Sequence, residues 1–162
     1  MTTITITDAA TDFLSNRRIA VAGVSREAGS SHGGNTVYNR LKERGYEAFA
    51  INPNATEVEG DPCYADVAAI PGGVSAVVIA TTPEVAPSVM QQCIDGDVRS
   101  VWMHRAFGQG SVSDEATRLG REHGITVIDG GCPLMFGQTA DAAHRVMKAM
   151  LTFGKAVPKQ VS

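Results

Sequence analysis

The sequence predicts a three-layer α/β protein with a Rossmann-like fold, in which helices cover both faces of a five-stranded parallel sheet. Short apolar runs alternate along the chain with longer segments of helical period, which is the pattern of parallel strands joined by crossover helices. The first apolar run leads through a Gly/Ser-rich stretch into a helical segment, as in nucleotide-binding folds. The usual connections of such folds predict the strand order 3-2-1-4-5.

The first strand is predicted at 18–23, where small and β-branched residues follow one another as they do in a strand that is covered on both faces. A Gly/Ser-rich loop, 24–34, comes next. The helix predicted at 35–44 carries Val37 and Leu41 on one face, and Gly45 favours its termination. Strand, glycine loop and helix therefore follow in the order that a phosphate-binding unit requires.

The second strand, 46–52, ends before Pro53, and the acidic residues 54–61 are expected to form a turn. A weak helical pattern covers 64–70. The third strand, 74–81, is the most apolar run in the chain, and Pro83 suits the first turn of the helix that follows it. The remaining predicted elements are a helix at 84–95, a strand at 100–104, a loop at 106–110, a helix at 111–123 capped by Ser111, a strand at 125–128 and an amphipathic helix at 139–151.

The 162 residues have room for one domain. We expect an N-terminal helical extension at 1–16, a nucleotide-binding domain at 17–154 and a frayed tail at 155–162. The apolar face of the helix at 139–151 either covers the sheet or forms a homodimer contact, and the sequence does not separate these alternatives.

Charge and cysteine content narrow the classes of partner. The net charge of −3 and the absence of a long basic run predict neither nucleic-acid nor membrane binding. Three widely spaced cysteines suggest no disulfide framework and no metal site. With no apolar stretch long enough for a membrane span and no leader-like N-terminus, a cytoplasmic protein is expected.

In such sheets ligands bind beyond the carboxyl ends of the strands, so the residues that follow each strand are the candidates. The loop 23–35 has the chemistry of an anion site, because glycines admit a ligand to the backbone and the start of a helix offers free N–H groups. The alternative is that these glycines only form a tight turn. The candidate ligand-binding residues are Gly23, Val24, Ser25, Arg26, Gly33, Gly34, Asn35, Asn52, Pro53, Thr81, Thr82, Pro83, Met103 and His104.

The dinucleotide fingerprint G-x-G-x-x-G is missing, since Ser25 and Ala28 stand at its second and third glycine positions. Asn52 also stands where an NAD site usually has an acid, and 54–59 offers no base for NADP. An NAD(P)-binding regulatory module remains an alternative. So does a small enzyme that uses Cys132 or His104 beside a bound nucleotide cofactor, although the sequence shows no complete catalytic set.

At these same positions the chain resembles the small bacterial CoA-binding proteins, which are stand-alone versions of the domain that begins the succinyl-CoA synthetase alpha subunit. The resemblance extends from residue 17 to residue 136. Its motifs, in order, are IAVAGVS at 19–25, GY at 45–46, INP at 51–53, GDPCY at 60–64, IP at 70–71, SVWM at 100–103 and GCP at 131–133.

The resemblance implies a Rossmann-like domain that binds coenzyme A or an acyl-CoA, a small nucleotide ligand, without catalysing a reaction. It implies that residues 23–26 lie near the phosphates of CoA. It also implies that Asn52, Pro53 and residues 81–83 line the path of the adenosine and the pantetheine. A carboxylate after the second strand would repel the 3′-phosphate of CoA, which agrees with Asn52 at that position.

Overall fold

Seven strands form one mostly parallel sheet with helices on both faces, which confirms the predicted Rossmann-like α/β class. The computed structural model describes residues 4–27, 33–105, 110–136 and 160–161. In chain order the elements are β1 Ile4–Thr5, α1 Ile6–Ser15, β2 Arg18–Ala22, α2 Gly33–Glu43, β3 Glu47–Ile51, β4 Glu57–Val58, β5 Asp61–Tyr64, β6 Ala76–Ile79, α3 Ala86–Asp95, β7 Ser100–Met103, α4 Asp114–Glu122, β8 Thr126–Asp129 and β9 Gln160–Val161.

The strand order across the sheet is β4-β5-β3-β2-β6-β7-β8, so the predicted five strands in the order 3-2-1-4-5 were wrong. The five predicted strands are all present, but β6, the third of them, pairs with β2 instead of lying outside β3. The place beside β3 is taken by β5, which runs parallel to β3, and β4 pairs with β5 in the antiparallel direction.

The two missed strands lie in a segment that was predicted to be a turn followed by a weak helix. β5 has only four residues, includes Pro62 and is half-buried, so it lacks the apolar run that marks the inner strands. β4 has two residues. The expected helix at 64–70 is reduced to the single 3-10 turn Val67–Ala69, in which the Asp66 side chain accepts a hydrogen bond from the N–H of Ala69.

Successive side chains of each inner strand point to opposite faces, and each face is closed by its own helices. In β2, Ile19 and Val21 pack with the apolar residues of α1 and α2. Ala20 and Ala22 face the other way, into the core formed with α3 and α4. The sheet is therefore buried on both sides, as the continuous apolar runs predict.

The cap of helix α4 lies two residues later than predicted. The hydroxyl of Ser113, not that of Ser111, accepts the capping hydrogen bond from the N–H of Ala116. Ser111 is buried, and its N–H donates to the carbonyl of His104.

Two predictions concern the carboxyl-terminal part of the chain, and the described residues bear on one of them. Within the tail that was expected to be frayed, residues 160–161 form β9, which pairs with β1 in the antiparallel direction, and Val161 is buried. The amphipathic helix predicted at 139–151 lies outside the described residues. Within the described part of the chain, every helix is too short or too polar to cross a bilayer.

Candidate functional site

A groove of about 820 Å³ lies at the carboxyl ends of β2, β3, β6 and β7. After β2 the chain continues into α2 on one face of the sheet, and after β6 into α3 on the other. The groove therefore lies where the connections of the sheet change sides, which is where ligands bind in open α/β sheets. The described residues that line it are Ala22, Gly23, Val24, Ser25, Gly33, Ile51, Asn52, Pro53, Asn54, Ala65, Ala80, Thr81, Thr82, Pro83, Val85, Ser88, Val89, Gln92, His104, Gly110 and Ser111.

Gly23 begins the floor of the groove directly after β2. Its φ is 94°, a conformation that residues with a side chain rarely adopt. A Cβ atom at this position would lie 2.5 Å from the carbonyl oxygen of Ala80, on the neighbouring strand connection. Glycine is required here both for the turn and for the close approach of the two loops.

Asn35 holds the loop that follows Gly23. Its side chain is fully buried; Oδ1 accepts from the N–H of Ser25 at 2.7 Å, and Nδ2 donates to the carbonyl of Ser25 at 3.1 Å. The amide thus pairs with both backbone groups of Ser25, as a neighbouring strand would. Asn35 lies behind the loop and does not line the groove.

Asn52 connects the end of β3 to the same loop. Its Nδ2 donates to the carbonyl of Val24 at 2.9 Å, and its Oδ1 accepts from the N–H of Asn54 at 2.8 Å. The first and second strand connections are therefore fixed to each other beside the groove.

The ring of His104 lies against the first residue of α2, where a Cβ atom on Gly33 would approach ring atom Cε1 to 2.9 Å. Burial lowers the pKa of His104 to about 4, because charged imidazolium is disfavoured away from water. The imidazole is therefore neutral at neutral pH. It can donate one hydrogen bond and accept another.

No charged side chain contributes to the described lining of the groove at neutral pH. The first turn of α2, which reaches the groove through Gly33, contains no acidic residue either. The amino end of a helix carries partial positive charge. An anionic group bound here would therefore be held by backbone N–H groups, hydroxyls and the helix dipole.

Ten of the fourteen predicted site residues line this one groove: Gly23, Val24, Ser25, Gly33, Asn52, Pro53, Thr81, Thr82, Pro83 and His104. Gly34 and Asn35 support the first loop from behind; a Cβ atom on Gly34 would lie 2.5 Å from the carbonyl oxygen of Gly23. Arg26 is exposed on the loop outside the groove lining. Met103 is fully buried in the core on the α3 side.

Sequence reasoning missed the wall that α3 contributes, with Val85, Ser88, Val89 and Gln92. Val85, which remains 45% exposed at the start of α3, is the large apolar residue of this wall. The sequence carries no signal for it, because the wall forms only when α3 lies beside the ends of β3 and β6.

Cys132, proposed as a partner of His104 in an enzyme, is 3% exposed and belongs to the core on the α1 and α2 face. It is not among the residues that line the groove. Among the described residues, no group of three His, Cys, Asp or Glu side chains is placed to hold a metal ion.

Comparison with protein families gives a match to the CoA binding domain over residues 17–138. The uncharacterized protein YneT of Bacillus subtilis is 31% identical over 114 residues, which cover 70% of this chain and 79% of YneT. A hypothetical protein from Pyrococcus horikoshii has a solved structure with a TM-score of 0.70 and 25% identity, covering 78% of this chain and 84% of its own.

The chain is also similar to part of a much larger protein. The ADP-forming acetate–CoA ligase I of Archaeoglobus fulgidus is 28% identical over 122 residues, which are 70% of this chain but 17% of the ligase. The similarity thus covers less than a fifth of that ligase.

Proposed function

Since the chain belongs to the CoA-binding domain family, we propose that its groove binds coenzyme A or an acyl-CoA, and that it does so without catalysing a reaction. The observation that carries the proposal is a groove that reaches the amino end of α2 and whose described lining residues include no charged side chain. Such a groove suits a ligand with anionic groups at one end and a long neutral arm at the other.

In the proposed complex the diphosphate of CoA lies beside Ser25 and Gly33, where the first loop meets α2. Backbone N–H groups and the helix dipole stabilise its charge there. Adenosine and pantetheine extend past Asn52 and Pro53 and along residues 81–83, where the lining offers amide and hydroxyl groups together with apolar side chains. This combination is typical of sites for small organic ligands.

An NAD(P) module is the less favoured candidate. An NAD site usually holds the ribose with an acid at the end of the second strand, and here Asn52 occupies that place and uses its side chain to join two loops. An enzyme that pairs Cys132 with His104 is also less favoured, because the thiol is buried in the core and His104 lines the groove.

Isothermal titration calorimetry with CoA, acetyl-CoA, NAD and NADH tests the proposal. Ser88 is an exposed groove residue on α3, and Gln91 is an exposed residue on the same helix outside the groove. We expect Ser88→Trp to fill the groove and weaken CoA binding by about tenfold or more, whereas the matched variant Gln91→Trp binds as the wild type does.

Binding of CoA and acetyl-CoA that is lost in Ser88→Trp alone supports the proposal. Tight binding of NADH without binding of CoA would replace it by the dinucleotide alternative. Release of free CoA from added acetyl-CoA, followed over time, would contradict the non-enzymatic part.

A further inference from the structure

Glu59 occupies a backbone conformation that its residue type does not favour. It is the first residue of the two-residue turn between β4 and β5, where φ is 50° for Glu59 and 79° for Gly60. Two-residue hairpin turns with positive φ at both positions prefer Asn, Asp or Gly at the first one. A glutamate here is costly, so its side chain is the feature to explain.

The side chain of Glu59 reaches the buried amide that holds the ligand loop. Its carboxylate accepts a hydrogen bond of 2.8 Å from Nδ2 of Asn35. The two residues are 24 positions apart in sequence. The contact therefore connects the edge hairpin of the sheet to the start of α2.

This contact reinforces the orientation of the Asn35 amide that its two hydrogen bonds to Ser25 also require. A carboxylate only accepts hydrogen bonds, so it requires the NH₂ group of Asn35 on its own side. Oδ1 of Asn35 is then left to accept the N–H of Ser25 at 2.7 Å. With the amide reversed, Oδ1 would face the Glu59 carboxylate and NH₂ would face an N–H donor, and both contacts would be repulsive.

We propose that Glu59 is a positioning residue for ligand binding: through Asn35 it fixes the backbone of Ser25 and so keeps the ligand loop preformed. The inference rests on the proposed function, because Ser25 lines the groove in which CoA would bind. A preformed loop binds more tightly, since less conformational freedom is lost when the ligand arrives. Glu59 itself does not line the groove.

The competing explanation is that Glu59 serves only the hairpin turn, and the chain offers a matched control for it. Asp97 is the other described non-glycine residue with positive φ, at 56°, and it follows α3, outside the groove. Asp97→Gly and Glu59→Gly relieve the same kind of backbone strain. Only the second removes a contact to the ligand loop.

Two further variants separate the turn from the contact. Glu59→Asn supplies the residue that such turns favour, but its side chain is one methylene shorter and is expected to miss Asn35. Glu59→Gln keeps the length and retains a carbonyl oxygen that can accept from Asn35. The hairpin should therefore form in every variant.

Hydrogen exchange measured by NMR reports on the Ser25 amide directly, with the amide of Val21 in β2 as internal reference. Relative to Val21, we expect exchange at Ser25 to accelerate about tenfold or more in Glu59→Gly and Glu59→Asn, with CoA affinity falling by a similar factor. Glu59→Gln and Asp97→Gly should leave both quantities within about twofold of wild type.

Unchanged Ser25 exchange in Glu59→Gly and Glu59→Asn would overturn the inference and reduce Glu59 to a turn residue. Accelerated exchange with unchanged CoA affinity would overturn its role in binding. If the wild type binds no CoA, the proposed function fails, while the exchange comparison still decides whether Glu59 fixes the loop.

Discussion

The phenyl ring of Phe13 meets the indole of Trp102 edge-on, with ring centroids 5.4 Å apart and ring planes at 85°. Phe13 belongs to α1, which precedes the residues matched by the family, and Trp102 lies in β7. Both rings are fully buried, and the indole N–H donates to the carbonyl of Gly130. Helix α1 thus completes the core on its face of the sheet.

Truncation of Phe13 should therefore destabilise the whole domain. We expect Phe13→Ala to lower the free energy of unfolding by about 3–4 kcal/mol, because it leaves a cavity against Trp102. Urea unfolding followed by Trp102 fluorescence measures the change. Leu14→Ala, at the half-buried neighbour, is the control and should cost about 1 kcal/mol. A loss for Phe13→Ala as small as the one expected for Leu14→Ala would show that α1 is a loosely attached extension.

Gly23→Ala should damage both the fold and the groove. The new methyl group would meet the Ala80 carbonyl oxygen at 2.5 Å in addition to the cost of positive φ. Gly45, at φ 88° with nothing within 4 Å of an added Cβ, isolates the backbone cost. We expect about 1–2 kcal/mol for Gly45→Ala and at least about 3 kcal/mol for Gly23→Ala in denaturant unfolding. Similar values for both would mean that the two loops separate easily.

Asn52→Asp should weaken CoA binding specifically. The carboxylate would face the Val24 carbonyl in place of the donated N–H, and it would add negative charge beside the proposed phosphate site. We expect about a tenfold loss of CoA affinity by calorimetry, smaller at high salt, together with a gain in NADH binding relative to CoA. Ser75→Asp adds the same charge outside the groove and should bind CoA normally. Unaltered binding in Asn52→Asp would place the phosphates elsewhere.

The free energy of unfolding should decrease as the pH is lowered from about 6.5 to about 4, because of His104. Its pKa is about 4 in the folded protein and near the ordinary 6.5 when unfolded, so the unfolded chain takes up the proton first. This protonation favours unfolding as the pH falls and has no effect above about 7. Between pH 7.5 and 4.5 the wild type should lose about 2 kcal/mol that His104→Gln retains.

Urea midpoints at the two pH values measure this effect. His123→Gln, at the exposed end of α4, is the control and should follow the wild type. Parallel losses in the wild type and His104→Gln would mean that another group titrates in this range.

The inner part of the fold was predictable because its signals are local. Runs such as 18–23 and 74–81 are apolar enough to identify strands without knowledge of their neighbours, and Gly45 identifies the end of a helix. The order of the strands was not predictable in the same way. It depends on the pairing of β5 with β3, which is a tertiary contact. β5 has only four residues and is half-buried, so its sequence lacks the apolar run that would indicate this pairing.

The residues of the site were likewise predictable only where their sequence signals are local. Because strand ends at one edge of a parallel sheet lie together, residues from four connections could be assigned to one groove before the structure was known. The α3 wall and the contact between Asn35 and Glu59 depend on segments that are far apart in sequence. No periodicity or turn motif marks either of them.

The hairpin that carries Glu59 also determines how the sheet ends. A parallel sheet that stopped at β3 would present five residues of unpaired backbone, from Glu47 to Ile51, to strands of other molecules. Instead β5 covers part of that edge, and β4 reverses direction and ends after two residues, one of them the exposed Glu57. So short an outer strand is a poor template for intermolecular pairing. The hairpin of β4 and β5 therefore also protects the sheet edge from intermolecular pairing. Variants that unfold this hairpin should precipitate before they lose their remaining structure.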